Sequence, residues 1–455
     1  MIGTLTGPTA RQLWRIAVPV TLQTVVFSSK SIVDAAMLGS QAEVDVAAIG
    51  IAGRATFVVT IFLVGFTIGG AQVGAQVWGR RDADRERPLR QTVWLTWATA
   101  SVCGLLACLA FLTVPEQVVA LGTDSPTVVG RGAEFLRVVA PTFLLFCWTS
   151  SVAAGLRVMR QPGVATLWAV AGVVLNVGLN AVLIFGLLGA PALGIVGAAY
   201  GTLASAVVET AGLALHLRLR RHALSRFPRA ELRAIRAPQV RRLLTLSLPA
   251  AGNSTLWALG SFAFYALVGS TGLSAAAALA VLSPVESLAL AFTIGLANAA
   301  AVVVGGSIGA GDLTGAYRQA RLLVAGSVVV GLGTAVLTWA LKSPLLALFP
   351  ELSPATRDLT GDMFDLMAAG FVLKSVGMVM VLGVLRAGGE VRFCLLLDAG
   401  AQWGLLLPVA WLLRDVAGAS ALVLFAVPLL EEAVRIVVAG ARIRSRRWLR
   451  DLVVT

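Results

Sequence analysis

Apolar runs of helical length alternate with short polar breaks along the chain. They fall near 13–38, 47–78, 91–113, 134–156, 163–187 and 193–217, and then near 243–268, 276–308, 320–341, 361–385, 393–413 and 417–440. Each can cross a hydrocarbon layer of about 30 Å, which takes roughly 20 helical residues. The second and eighth are long enough to tilt or bend. Between the two groups of six lies Arg218 to Arg242, with nine arginines, a single acid, Glu231, and the prolines Pro228 and Pro238. So polar a stretch cannot sit in lipid. It predicts a loop or surface helix at 218–242 joining two membrane-embedded halves, 1–217 and 243–455.

Composition turns this pattern into a class. The chain is 58% hydrophobic and 13% charged over 455 residues, where a soluble domain carries about 25% charge. The fold class is an all-α membrane protein of twelve transmembrane helices, arranged as two six-helix repeats. The net charge of +13 then reflects arginine held on the cytoplasmic side, and no fold signature for nucleic-acid binding accompanies it. With the N-terminus inside, the inner segments hold 27 of the 36 Lys and Arg. The outer loops hold Arg131, Lys342, Arg357 and Arg414. A counting error of one helix would scramble this asymmetry. The expected placement is therefore multi-pass in the cell's inner (plasma) membrane, with both termini and the basic linker cytoplasmic. Cys103, Cys108, Cys147 and Cys394 all lie in apolar runs and predict no disulfide or zinc framework. The first apolar segment continues into the next span, so no removable signal peptide is expected.

The halves repeat. RQLWRIAVP at 11–19 corresponds to RRLLTLSLP at 241–249, and AMLGS at 36–40 to ALVGS at 266–270. At the same offset of 230, Gly79 and Asp82 match Gly309 and Asp312. Further on, at an offset of 229, Pro115 matches Pro344 and Leu156-Arg157 matches Leu385-Arg386. An even number of spans per unit brings both copies in from the same side, related by an axis along the membrane normal.

The residues AVPVTLQ at 17–23, IVDAAMLG at 32–39, GLR at 155–157, NVGLN at 176–180 and LGIVGAAYGT at 193–202, followed by GVLRAGGEVRF at 383–393, Asp398, Trp403 and Pro408, run in this order through nearly the whole chain. In that order they resemble the multidrug and toxic compound extrusion (MATE) family of the flippase-like superfamily. The resemblance implies an N-lobe and a C-lobe facing across a central cleft. It also implies export of amphipathic, often cationic organic compounds against inward H⁺ or Na⁺, with no other cofactor.

Ionisable groups inside spans are costly and mark function by default. Asp34 is the only acid in the interior of the first five spans, and by motif it resembles the family's cation-coupling carboxylate. In low dielectric its protonated form is favoured, so a ligand that stabilises the charged form competes with the proton. Lys30, four residues earlier on the same helical face, offers an alternative ion pair. Asn176 and Asn180, also at i and i+4, and Thr202 match positions that line the family's N-lobe cavity; interhelical hydrogen bonding is the competing role. Some relatives carry a second acid where this chain has Asn180, which favours H⁺ over Na⁺ at Asp34. Gln23, Gln72 and Gln76 are further polar points on the first two spans. In the second half Glu286, Lys374 and Asp398 predict an internal charge network lining the C-lobe cavity, with Lys374 paired to Glu286 or Asp398. Glu431, Glu432 and Arg435 read as peripheral. No metal-ligand cluster is predicted.

The leading expectation is a monomeric secondary exporter that meets a small organic substrate and membrane lipid, and no nucleic acid. The alternative is a lipid-linked precursor or polysaccharide flippase of the same superfamily, which Lys30, Arg54 and Lys374 keep open. An enzyme would need a nucleophile–base pair or a metal cluster, and the sequence shows neither. It also lacks a phosphate-binding glycine loop for ATP.

Overall fold

Backbone N–H and C=O groups have no water to bond inside lipid, so apolar runs satisfy them internally as helices. The computed structural model describes residues 8–38, 43–80, 85–226, 233, 235–347 and 352–452; the side chains of 8–14, 31, 32, 34–36, 38 and 43 lie outside that description. In the first half, α1 is Pro8–Leu38, α2 Glu43–Gly79, α3 Glu86–Thr113, α4 Pro115–Ala120, α5 Pro126–Val139, α6 Thr142–Val158, α7 Pro162–Phe185 and α8 Ile195–Leu219. In the second, α9 is Ala237–Gly269, α10 Leu273–Gly309, α11 Leu313–Ala347, α12 Pro354–Met378, α13 Val391–Ala399, α14 Leu407–Asp415 and α15 Ala421–Arg444. Among the described residues eight helices are long and apolar enough to cross a membrane, and the bent pair α5–α6 makes nine. The other three expected spans are α1, α9 and α15.

Each expected run falls on a helix, with one difference of form. The fourth, expected over 134–156, is two helices bent by 44° at Pro141, where proline removes an N–H and interrupts the ladder. Two further departures occur late in the chain. After α12 the backbone widens into a π-helical segment, Val379–Leu385, and then tightens into a 3₁₀ turn, Arg386–Gly388. Between α13 and α14 a second π segment spans Gly400–Leu406. Such wide turns are frequent at functional sites.

The chain forms two compact units. One gathers Met1–Thr24, Ala75–Arg81 and Gly252–Thr455; the other gathers Val25–Gly74 and Asp82–Ala251. In the first, Phe264, Met363, Phe364, Phe371 and Leu424 form one core, and Val304, Val379, Leu385 and Trp448 a second. In the other, Phe66, Phe111, Leu136 and Phe143 pack together. Lipid tails are as apolar as these side chains, so close packing rather than water exclusion holds such helices together. The repeat-equivalent Gly79 and Gly309 show how close that packing is. A Cβ on Gly79 would run into the Gly306 carbonyl, and one on Gly309 into the Gln76 carbonyl. The last turns of α2 and α10 thus meet backbone to backbone within the first unit. Asp312 caps α11, accepting from the Gly315 N–H at 2.7 Å; its counterpart Asp82 lies outside the described residues.

Candidate functional site

The first polar group grows from the seam between α7 and α8. Asn176 and Asn180 lie one turn apart on α7, 0% and 1% exposed. Asn180 Nδ2 donates to Asn176 Oδ1 at 3.3 Å, and Asn176 Nδ2 donates to Thr202 Oγ1 on α8, also at 3.3 Å. Ser205 extends the line by donating to the Thr202 carbonyl at 3.0 Å. Further along the seam Glu209, half-buried, faces Gly172. The three residues singled out from sequence are therefore bonded into one neutral chain. Asp34 lies on α1, but its side chain is outside the described residues; Lys30, four residues earlier, is half-buried. Gln23, also half-buried, falls in the unit that holds Met1–Thr24.

The second group is charged and lies wholly within the unit that holds Gly252–Thr455. Lys374 Nζ on α12 bonds Glu286 Oε1 on α10 at 2.5 Å, and Tyr265 on α9 donates its hydroxyl to the other carboxylate oxygen. Lys374 thus takes Glu286, of the two acids expected for it. Asp398, on α13 just before the second π segment, accepts from Arg435 Nε at 3.0 Å and Nη2 at 2.9 Å through Oδ1. Its Oδ2 accepts from Asn253 Nδ2 at 2.7 Å, with Arg386 Nη2 3.9 Å away. Arg435 Nη1 also bonds Glu432 Oε1 at 2.8 Å. Arg435 is shared between two acids, as a planar five-donor fork permits.

This overturns the peripheral reading of the last span. Glu431, Glu432 and Arg435 are all less than a tenth exposed, and Arg435 is the hub of the network. The signal was present in the sequence: charges in the middle of an apolar span must face protein or water, and Glu432 to Arg435 is an i, i+3 pair.

Gln76 is not a free polar point either. It is 0% exposed; its Nε2 donates to the Ala387 carbonyl at 2.8 Å and the Arg450 carbonyl at 3.1 Å, and its Oε1 accepts from Leu452 N at 2.6 Å. Trp448 is fully buried beside Gly388, and Glu390 binds Arg442 at 2.8 Å and Arg450 at 3.0 Å. The C-terminal segment is thereby fastened to the end of α2 and to the turn after the first π segment. Gln72, one turn earlier on α2, is buried with no partner for either amide atom among the described residues.

A family model described as MatE matches residues 19–182 and, in register, 249–412. The chain belongs to the MatE family. The two matches are offset by 230 residues, the spacing of the internal repeat. Membership makes it an integral membrane secondary transporter and not an enzyme. It is 28% identical to "Probable multidrug resistance protein NorM" of Pseudomonas syringae pv. tomato, over 91% of this chain and 90% of that one. It is 26% identical to "Probable multidrug resistance protein YoeA" of Bacillus subtilis, over 88% and 87%. The crystal structure of a MATE in complex with MaL6 superposes with a TM-score of 0.87 at 17% identity, covering 97% of this chain and 98% of that one. That last likeness shows the fold, a two-lobe set of twelve spans.

Proposed function

We propose that this chain is a cation-coupled multidrug exporter, an antiporter that moves amphipathic, cationic organic compounds out of the cell against H⁺ in preference to Na⁺. In this reading Asp34 is the coupling carboxylate, and substrate and proton compete for it during alternating access. The observation that carries the reading is the chain Asn180–Asn176–Thr202, with both amides buried. Its members are neutral amides and a hydroxyl. They offer oxygens and N–H donors and add no negative charge of their own, a chemistry that suits a proton site better than one for a stripped Na⁺. The names of the two curated relatives support the drug-resistance role. The arginine asymmetry supports an inner-membrane position with both termini and the basic linker cytoplasmic.

The flippase alternative needs cations free to hold a lipid pyrophosphate. Lys374 is engaged by Glu286, which weakens that reading. The test is efflux of a cationic dye from proteoliposomes under an H⁺ or a Na⁺ gradient imposed separately. Wild type is expected to respond to H⁺, and Asp34→Asn to lose that response at unchanged protein yield. Efflux that needs neither gradient, or near-normal transport by Asp34→Asn, defeats the reading.

A further inference from the structure

Four acids and three bases form one charge cluster in a single unit, apart from Glu390, which is matched by Arg442 and Arg450. The acids are Glu286 on α10, Asp398 on α13, and Glu431 and Glu432 on α15; the bases are Lys374 on α12, Arg386 in the 3₁₀ turn and Arg435 on α15. Glu286 is matched by Lys374 and the Tyr265 hydroxyl. Asp398 is matched by Arg435 and Asn253, with Arg386 at longer range. Glu432 has only half of its capacity used. Its Oε1 takes one bond from Arg435, whereas its Oε2 is fully buried and has no partner among the described residues. That oxygen lies against Gly377 on α12, in space a Cβ would fill. Glu431, adjacent in sequence and also buried, adds a second carboxylate within the field of Arg435 and Lys374.

With every group ionised, the set carries one unmatched negative charge. An unmatched buried charge is costly, and a group so placed neutralises by taking a proton. We propose that the Glu431–Glu432 pair, through the open Oε2 of Glu432, is an exchangeable proton-binding site of the C-terminal half, additional to Asp34. Binding converts one carboxylate to a carboxylic acid and leaves the Oε1–Arg435 bond in place. The two acids are adjacent on α15 and both lie within the field of Arg435 and Lys374. Glu431→Gln and Glu432→Gln should therefore each lower the same titration. As a second coupling site the pair rests on the antiporter reading; as a proton-binding site it does not.

The experiment is infrared difference spectroscopy of the full chain in lipid vesicles, stepped between high and low pH. Wild type is expected to show a protonated-carboxyl band that grows as pH falls. Glu432→Gln should remove about one carboxyl's share of it, and Asp34→Asn should leave that share intact. An identical band in wild type and Glu432→Gln overturns the proposal. So does loss of the band on adding Na⁺ at fixed pH, which would assign the pair to an alkali cation. If Glu432→Gln does not fold, Gly377→Ala decides: a methyl group against Oε2 should displace the titration midpoint, and an unmoved midpoint overturns the site. This readout needs no transport. Absence of gradient-driven efflux in wild type sinks the antiporter reading alone, whereas an unchanged band in Glu432→Gln sinks the proton site alone.

Discussion

The sixth span of each half shows how far two copies of one unit have diverged. In the first half α8 offers Thr202 and Ser205 to the amides of α7, and every bond in that line is neutral. In the second half α15 offers Glu431, Glu432 and Arg435, and the bonds it makes are ion pairs. The repeat register is kept, as the family match and the paired Gly79 and Gly309 attest. The interior chemistry is not. A neutral line can be rearranged at small cost, because each hydrogen bond in a membrane bundle contributes about 0.6 kcal/mol. A buried charged hub cannot, because removing one partner strands the others. The first half is thus suited to a site whose occupancy changes, and most of the second to a fixed frame of ion pairs in which, among the described residues, Glu432 Oε2 has no partner.

The largest effect expected is at the hub. Arg435→Leu strands Asp398 and Glu432 and should cost about 3–5 kcal/mol, seen as loss of monodisperse protein or a steep fall in Tm in detergent. A small change would mean that the second half is no more charge-dependent than the first. Next comes the half-exposed pair. Lys374→Glu or Glu286→Lys alone should each cost roughly 1.5–3 kcal/mol, and the reciprocal double variant should recover most of it. Failure of the swap to rescue would break the pairing. Gln76→Ala removes three bonds to the C-terminal segment and should cost about 1–3 kcal/mol, read most directly as faster protease cleavage near Trp448. The neutral line should respond least to truncation. Asn176→Ala is expected to lower stability by about 0.6 kcal/mol while reducing transport far more, and a loss rivalling that of Arg435→Leu would erase the contrast between the halves.

The smallest effect is a pH dependence outside the spans. His222 Nδ1 accepts from the Leu224 N–H at 3.2 Å, and burial holds its pKa below the usual 6.5. The folded chain therefore prefers the neutral ring. This contribution is fully present above the unfolded value and is lost as pH falls from there through the lower folded value. Thermal scans on either side of 6.5 should show wild type losing slightly more stability in acid than His222→Asn.

The order of spans was legible because lipid leaves the backbone so few options. The repeat was legible because turn residues such as Gly79 and Gly309 recur at a fixed offset. Glu286 and Lys374 could be named because an intramembrane charge needs a partner. The π segments around Val379 and Gly400 could not, since one extra residue per turn leaves no mark in an apolar sequence. Arg435 was missed for another reason: mixed charges near the end of a chain look like a solvated helix face, and that reading outweighed the signal of an i, i+3 pair inside an apolar span. Gln76 illustrates the same limit, because its partners Ala387, Arg450 and Leu452 lie more than 300 residues away in sequence.

The central claim is that proton movement in this transporter is tied to substrate through the first half. Its most direct test is the pH inside proteoliposomes, followed with an entrapped dye as a cationic substrate is added outside. Substrate should drive immediate proton efflux through wild type and none through Asp34→Asn. Equal proton movement through both, or substrate entry with no proton movement through wild type, would contradict the account.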